Sequence, residues 1–217
     1  MEMGTAPEKK WGQPPKGIAM IERGTGPMRI VLASGSPRRR ELMAREGFEF
    51  DVLTSDCDES YDAKMAPVDV APYLAGKKAH AVAATLQGDA SNAVVIGADT
   101  IVALGSQIYG KPADADDACR MLRELSGKTH QVITGVCVIA PQGEQSFADI
   151  TDVTFRELSD EEISAYVAGG EPMDKAGAYG IQGDGGALVD YIDGDFDNVV
   201  GLPVKRLARM LLSIESA

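Results

Sequence analysis

The sequence predicts one α/β domain with a mixed sheet and flanking helices, divided into two lobes by a cleft. Three observations lead there. Short apolar runs of strand type alternate with punctuated helical stretches along most of the chain. Strands outnumber what simple β-α-β alternation would need, so parallel pairing alone does not account for them. The 217 residues are 44% hydrophobic, without an internal repeat or a clear linker, which is enough to bury one sizeable core.

Residues 1–27 are rich in Gly, Pro, Lys and Glu, show no periodicity and contain Trp11. They are expected to form a flexible N-terminal extension, leaving 28–217 as the domain. Order begins at Arg29, where "RIVLA" is a short apolar run of the kind that makes a buried strand. Ser36 and Pro37 fit an N-cap and a first helical position, opening a helix through "RRRELMAREG" that stops near Gly47. "FEFDVLTS" alternates like a second strand, and Asp69 to about Gln87 is helical with Ala-rich apolar positions. "AVVIGADTIVAL" is the next strand, and after a Gly-Ser turn the chain returns through "QIYGKP".

Asp114 is placed to cap "DADDACRMLRELSG", whose first turn is acidic and whose stop is Gly127. "HQVITGVCVIA" and "SFADITDVTFREL" flank a Pro-Gln-Gly-Glu turn and read as a hairpin. "SDEE" at Ser159 to Glu162 is a capping box for a short helix ending at Gly169-Gly170. The glycine-rich "AGAYGIQGDGGALVDYIDGDFDNVVGLP" carries no periodic signal, and Pro203 opens the last helix.

The formal net charge of −12 disfavours polyanionic partners, so neither nucleic acid nor an anionic membrane is expected as a partner. No apolar run is long enough to span a bilayer. The three cysteines are far apart, and they do not combine with the two histidines at any zinc-site spacing. A reducing, cytoplasmic setting is the expectation.

Against that acidity, "LASGSPRRRELM" concentrates positive charge at a strand-to-helix turn. A helix N-terminus offers unpaired N–H groups and the positive end of its dipole. Ser34 and Ser36 add hydroxyl donors, and Arg38 and Arg39 add planar forks suited to phosphate oxygens. Together they form an anion site that is not a P-loop. Arginines solvated on a capped surface helix are the alternative. Asp99 in "GADT" ends an apolar strand, where a carboxylate can hold a metal, position water or simply close a turn. Lys111 in "YGKP" and one of Lys77 and Lys78 are candidate phosphate cations, although lone lysines usually serve only as surface charge. Asp58 and Glu59 could share a divalent cation with Asp99, or belong to a polar loop. "GIQGDGG" does not match a dinucleotide fingerprint, but a tight loop there could let Gln182 present its amide to a pyrimidine imide.

In combination these motifs become specific. "LASGSPRRREL", Asp58-Glu59, "LAGKKA", "IGADTIV", "GKP", "ELSGKTHQVITGV", "EPMDKAGAYGIQG" and "GDFDNVVGLP" occur in the order found in the Maf family of nucleotide pyrophosphatases, first linked to septum formation, which the chain resembles over roughly 28–212. The resemblance implies a mixed α/β fold with a deep cleft, similar to inosine triphosphate pyrophosphatases. It implies hydrolysis of a nucleoside triphosphate to monophosphate and pyrophosphate with magnesium or manganese, and a homodimer. Carried over by motif, Ser34, Arg38, Arg39, Lys78 and Lys111 bind substrate, with Ser36 added from the turn itself, and Asp99 is the proton acceptor. Asp99 with Asp58 or Glu59 serves the metal. Arg38, Thr100 and Gln182 match the branch that prefers dTTP and UTP. A nucleotide-binding regulator of cell division with weak turnover is the alternative, since the same cleft would serve it. A kinase is disfavoured by the absence of P-loop and kinase motifs.

Overall fold

The computed structural model describes residues 28–54, 56–86 and 92–215. The expected extension at 1–27, Trp11 included, lies outside the described residues, as do Ser55 and Gln87. Seven strands form one sheet in the order β2-β1-β3-β5-β6-β7, with β4 pairing β3 off this path. They are β1 (Arg29–Ala33), β2 (Asp51–Val52), β3 (Ala93–Leu104), β4 (Gln107–Tyr109), β5 (Thr129–Ala140), β6 (Gly143–Phe155) and β7 (Val189–Asp193). β1 is parallel to β2 and β3, whereas β3, β5, β6 and β7 are antiparallel in succession. The mixed sheet is thus observed. The helices are α1 (Pro37–Arg45), α2 (Pro67–Ala83), α3 (Ala115–Leu125), α4 (Asp160–Ala168), α5 (Phe196–Val200) and α6 (Val204–Glu215).

Punctuation works locally as the sequence predicts. Asp114 accepts a hydrogen bond from the Asp117 N–H at 2.8 Å. Ser159 and Glu162 close a reciprocal capping box, in which the Ser159 hydroxyl accepts from Glu162 N–H and the Glu162 carboxylate accepts from Ser159 N–H. Three expectations change. The strand expected over "FEFDVLTS" shrinks to Asp51–Val52, because Phe48 and Phe50 pack against the core instead of alternating on a sheet. α2 begins at Pro67 rather than Asp69 and continues through Pro72. The glycine-rich stretch contains β7, α5 and two short 3-10 turns, whose Gly and Asp density hides any periodicity.

Register builds the site. β1 flanks β3 only from Ala93 to Gly97, and β4 resumes on that side only at Val102. The segment between, Ala98 to Ile101, keeps β5 on its other side but has no strand here. Since Ala33 pairs with Gly97, the turn leaving β1 emerges beside Asp99. Gly97 and Asp99 share a face of β3, and Gly135 pairs directly with Asp99. α2 covers that face so closely that a Cβ on Gly97 would strike the Ala75 carbonyl oxygen, and one on Gly135 the backbone of Ala71 and Pro72.

Two apolar centres flank this gap. One gathers Leu32, Met43, Ile96, Val136, Leu202 and Leu207 under α1 and α6. The other gathers Met121, Leu122, Leu125, Phe155, Ile163 and Tyr179 under α3 and α4. This pair of centres is the physical basis of the two lobes. His130 lies inside the second, 1% exposed, edge-on to Phe155 and Tyr179, with Nε2 2.9 Å from the Tyr179 hydroxyl. Enclosure pushes its imidazole down to about 4. The folded pKa lies below the unfolded value, so the unfolded chain takes up the proton more readily as pH falls below 6.5. Stability from this site is complete above about pH 6.5 and declines toward pH 4, by about 2 kcal/mol at pH 5. Urea unfolding at pH 7 and pH 5 is expected to show that loss, and His130→Leu to remove it.

Candidate active site

The gap opens into a cavity of about 920 Å³, within the range of small-ligand sites. One wall is the β1–α1 turn from Ser34 to Arg39. The floor is Asp99 to Val102 with Lys78. The opposite wall is the glycine-rich segment, including Glu171, Asp174, Lys175 and Gln182.

Ser36 occupies the N-cap position of α1, but its hydroxyl makes no capping bond. Its backbone N–H donates to the Ser34 hydroxyl at 3.3 Å. Arg39 is half-buried and held in three directions. It donates to the Gly201 carbonyl at 2.8 Å, the Ser34 hydroxyl at 3.0 Å and the Thr100 hydroxyl at 3.1 Å. All three acceptors are neutral, so its charge is uncancelled at contact distance. Desolvation lowers its pKa from the arginine value, and neighbouring Asp99 opposes that shift. Arg38 reaches across to Asp174 at 3.4 Å. The arginines therefore divide: Arg38 and Arg39 line the cavity, while Arg40 points to solvent.

On the α2 face, the ammonium of Lys78 donates to Asp99 Oδ1 at 2.6 Å and lies 3.3 Å from Glu59. Asp99 is buried, at 8% exposure. Lys77 turns the other way, toward Asp58, the Ser60 carbonyl and the Tyr73 ring. Of the two lysines, only Lys78 faces inward. The acidic pair is likewise separated. Glu59 lines the cavity, while Asp58 binds the Ser60 hydroxyl and backbone N–H and Lys77, contacts that drive its carboxyl down to about 2. Asp58 is thus not brought to Asp99. Thr100 faces the opposite side of β3 from Asp99; its hydroxyl meets Arg39 and, at 2.9 Å, Thr134. Lys111 and Gln182 line the cavity with exposed side chains.

Among the described residues, no group of three or more His, Cys, Asp or Glu side chains could hold a metal ion. Asp99 and Glu59 nonetheless form a pair of hard oxygen donors gathered around one cation, the Lys78 ammonium. That donor set fits magnesium arriving with a triphosphate, which keeps several waters and takes only one or two protein carboxylates. It does not make a protein-only cage.

Apart from Gln182, the second wall escaped the sequence reading. Glu171, Asp174 and Lys175 lie in the quoted stretch "EPMDKAGAYGIQG", yet no spacing rule assigns them. Lys175 donates to Asp174 at 2.7 Å and to the Glu171 carbonyl at 2.6 Å.

Residues 29–214 match the family model described as Maf-like protein. A dTTP/UTP pyrophosphatase from Bacillus cereus is 50% identical over 183 residues, covering 84% of this chain and 94% of the relative. One from Bacillus cytotoxicus is 48% identical over 188 residues, covering 87% and 96%. Among solved structures, a nucleoside-triphosphatase / dITP/XTP pyrophosphatase from Mycobacterium abscessus overlaps 86% of this chain and 97% of its own at 12% identity, with a TM-score of 0.39.

Proposed function

Because the chain belongs to the family of Maf-like proteins, we propose that it hydrolyses dTTP and UTP to the nucleoside monophosphate and pyrophosphate. One observation carries the reading: Arg39, fixed by three neutral acceptors, and the Lys78–Asp99 pair meet in one cavity at the N-terminus of α1. Fixed cations grip a triphosphate, and an acid among them handles a proton.

In this reading the phosphate oxygens meet the N–H groups of α1, the Ser36 hydroxyl, Arg38 and Arg39. Lys78 holds Oδ1 of Asp99, which leaves Oδ2 to take the proton of the attacking water. The water oxygen bonds to the α-phosphorus, and the bond to the β-phosphate oxygen breaks. Pyrophosphate leaves with the electron pair, its charge met by Arg39, Lys78 and Lys111. A divalent cation, magnesium or manganese, held by Asp99 and Glu59 together with the substrate, supplies Lewis acidity and positive charge beside the phosphates. Gln182 reads the imide edge of the pyrimidine with one donor and one acceptor. The same reading takes 28–217 as the pyrophosphatase domain of a cytoplasmic homodimer, with 1–27 as an extension. The charge of −12 supports the absence of nucleic-acid or membrane partners.

A nucleotide panel with magnesium tests the proposal. dTTP and UTP are expected to yield monophosphate and pyrophosphate in equal amounts, well ahead of GTP. Release of inorganic phosphate instead, or no turnover, would overturn it. In Gln182→Ala the dTTP:GTP ratio of kcat/KM is expected to fall roughly tenfold. An unchanged ratio would remove Gln182 from base reading.

A further inference from the structure

The loop carrying Gln182 is tied to one carboxylate. Glu171 stands at the start of the 3-10 turn Glu171–Asp174, on the cavity wall. Its Oε2 accepts from the Asp184 N–H at 2.9 Å, and its Oε1 accepts from the Gly185 N–H at 3.3 Å and the Tyr166 hydroxyl at 3.0 Å. The Tyr166 hydroxyl in turn accepts from the Gly180 N–H at 3.1 Å. The two flanks of Gln182 therefore end on one linked pair, Gly180 on Tyr166 and Asp184 and Gly185 on Glu171. Packing around them is close. A Cβ on Gly183 would collide with the Glu171 carboxylate, one on Gly180 would come within 2.9 Å of it, and one on Gly185 would lie 2.6 Å from the Tyr166 oxygen.

We infer that Glu171, supported by Tyr166, is a positioning residue for nucleobase selection: it sets the backbone of 180–185 so that Gln182 meets the base edge. The inference rests on the proposed role of Gln182. A carboxylate suits this task because it only accepts, and three donors converge on it. Glu171→Gln puts a donor amide among those donors, so at least one contact is lost and the loop can relax.

The test is a double-mutant cycle. In Glu171→Gln the dTTP:GTP preference is expected to fall roughly tenfold, mainly through a raised KM for dTTP. The inhibition constant of inorganic tripolyphosphate, which has no base, is expected to stay within about twofold, because the cationic wall is untouched. Adding Gln182→Ala to Glu171→Gln is expected to lower the preference no further than Gln182→Ala alone. Additive losses, or equal weakening of dTTP, GTP and tripolyphosphate, would overturn the positioning role and leave a structural one. Should Glu171→Gln fail to fold, Tyr166→Phe decides by the same criteria. The two proposals fail separately. If Gln182→Ala leaves preference unchanged, the base-reading role fails. If Gln182→Ala shifts preference and folded Glu171→Gln does not, this inference fails.

Discussion

Replacing Asp99 by Asn is expected to lower kcat for dTTP by about a hundredfold or more, with KM changed far less. The amide keeps the size of the carboxyl and an acceptor oxygen for Lys78, but it cannot take a proton from water at neutral pH. The change also removes one of the two carboxylates that face the Lys78 ammonium. The fold is expected to survive, because Glu59 still faces the Lys78 ammonium and the buried charge is not left alone. Pyrophosphate release and a thermal melt on the same preparation separate the two effects. Retention of most of the turnover would remove Asp99 from the proton-accepting role. A lost melting transition would show that the residue serves stability instead.

Gly135→Ala is expected to be the most damaging change away from the cavity. The added methyl would overlap the backbone of Ala71 and Pro72, which cannot swing aside as a side chain can. α2 must lift from the sheet, losing contact with β3 and β5 around Val70, Leu74 and Ile133. The cost is about 3 kcal/mol or more, roughly 10 °C in Tm. The same displacement draws Lys78 away from Asp99, so activity is expected to fall even in whatever fraction folds. Gly76→Ala on the same helix is the control. Its methyl meets nothing within 4 Å, so it is expected to be neutral or to stabilise by up to about 1 kcal/mol. If Gly135→Ala melts with the native protein, close packing of α2 on β5 is not what places Lys78.

The parts of the site legible in the sequence are those set by local chemistry. Ser36-Pro37 marks a helix start whatever surrounds it; Asp99, expected at the end of an apolar strand, instead lies inside β3, level with the gap between β1 and β4. The hairpin and the capping box are equally local. What could not be read depends on which way neighbouring residues face once packed. Lys77 and Lys78, and Asp58 and Glu59, are equivalent as letters. They part only because α2 lies on β3, with one face toward the cavity and the other toward the loop. Gly97 and Gly135 are 38 positions apart, and their shared purpose emerges only when β3 pairs with β5. Glu171 is hidden for the same reason. Its partners are backbone N–H groups of a loop 13 and 14 residues away, and backbone groups leave no trace in residue type.

The most direct measurement is a crystal structure of the Asp99→Asn protein soaked with dTTP and magnesium, where slow turnover lets the nucleotide persist. The triphosphate is expected against the Ser36 N-terminus of α1 and Arg39, with the thymine facing Gln182 across the cavity. A nucleotide lodged anywhere else, or one inserted with its base against Arg39 and its phosphates toward Gln182, would contradict the proposed site.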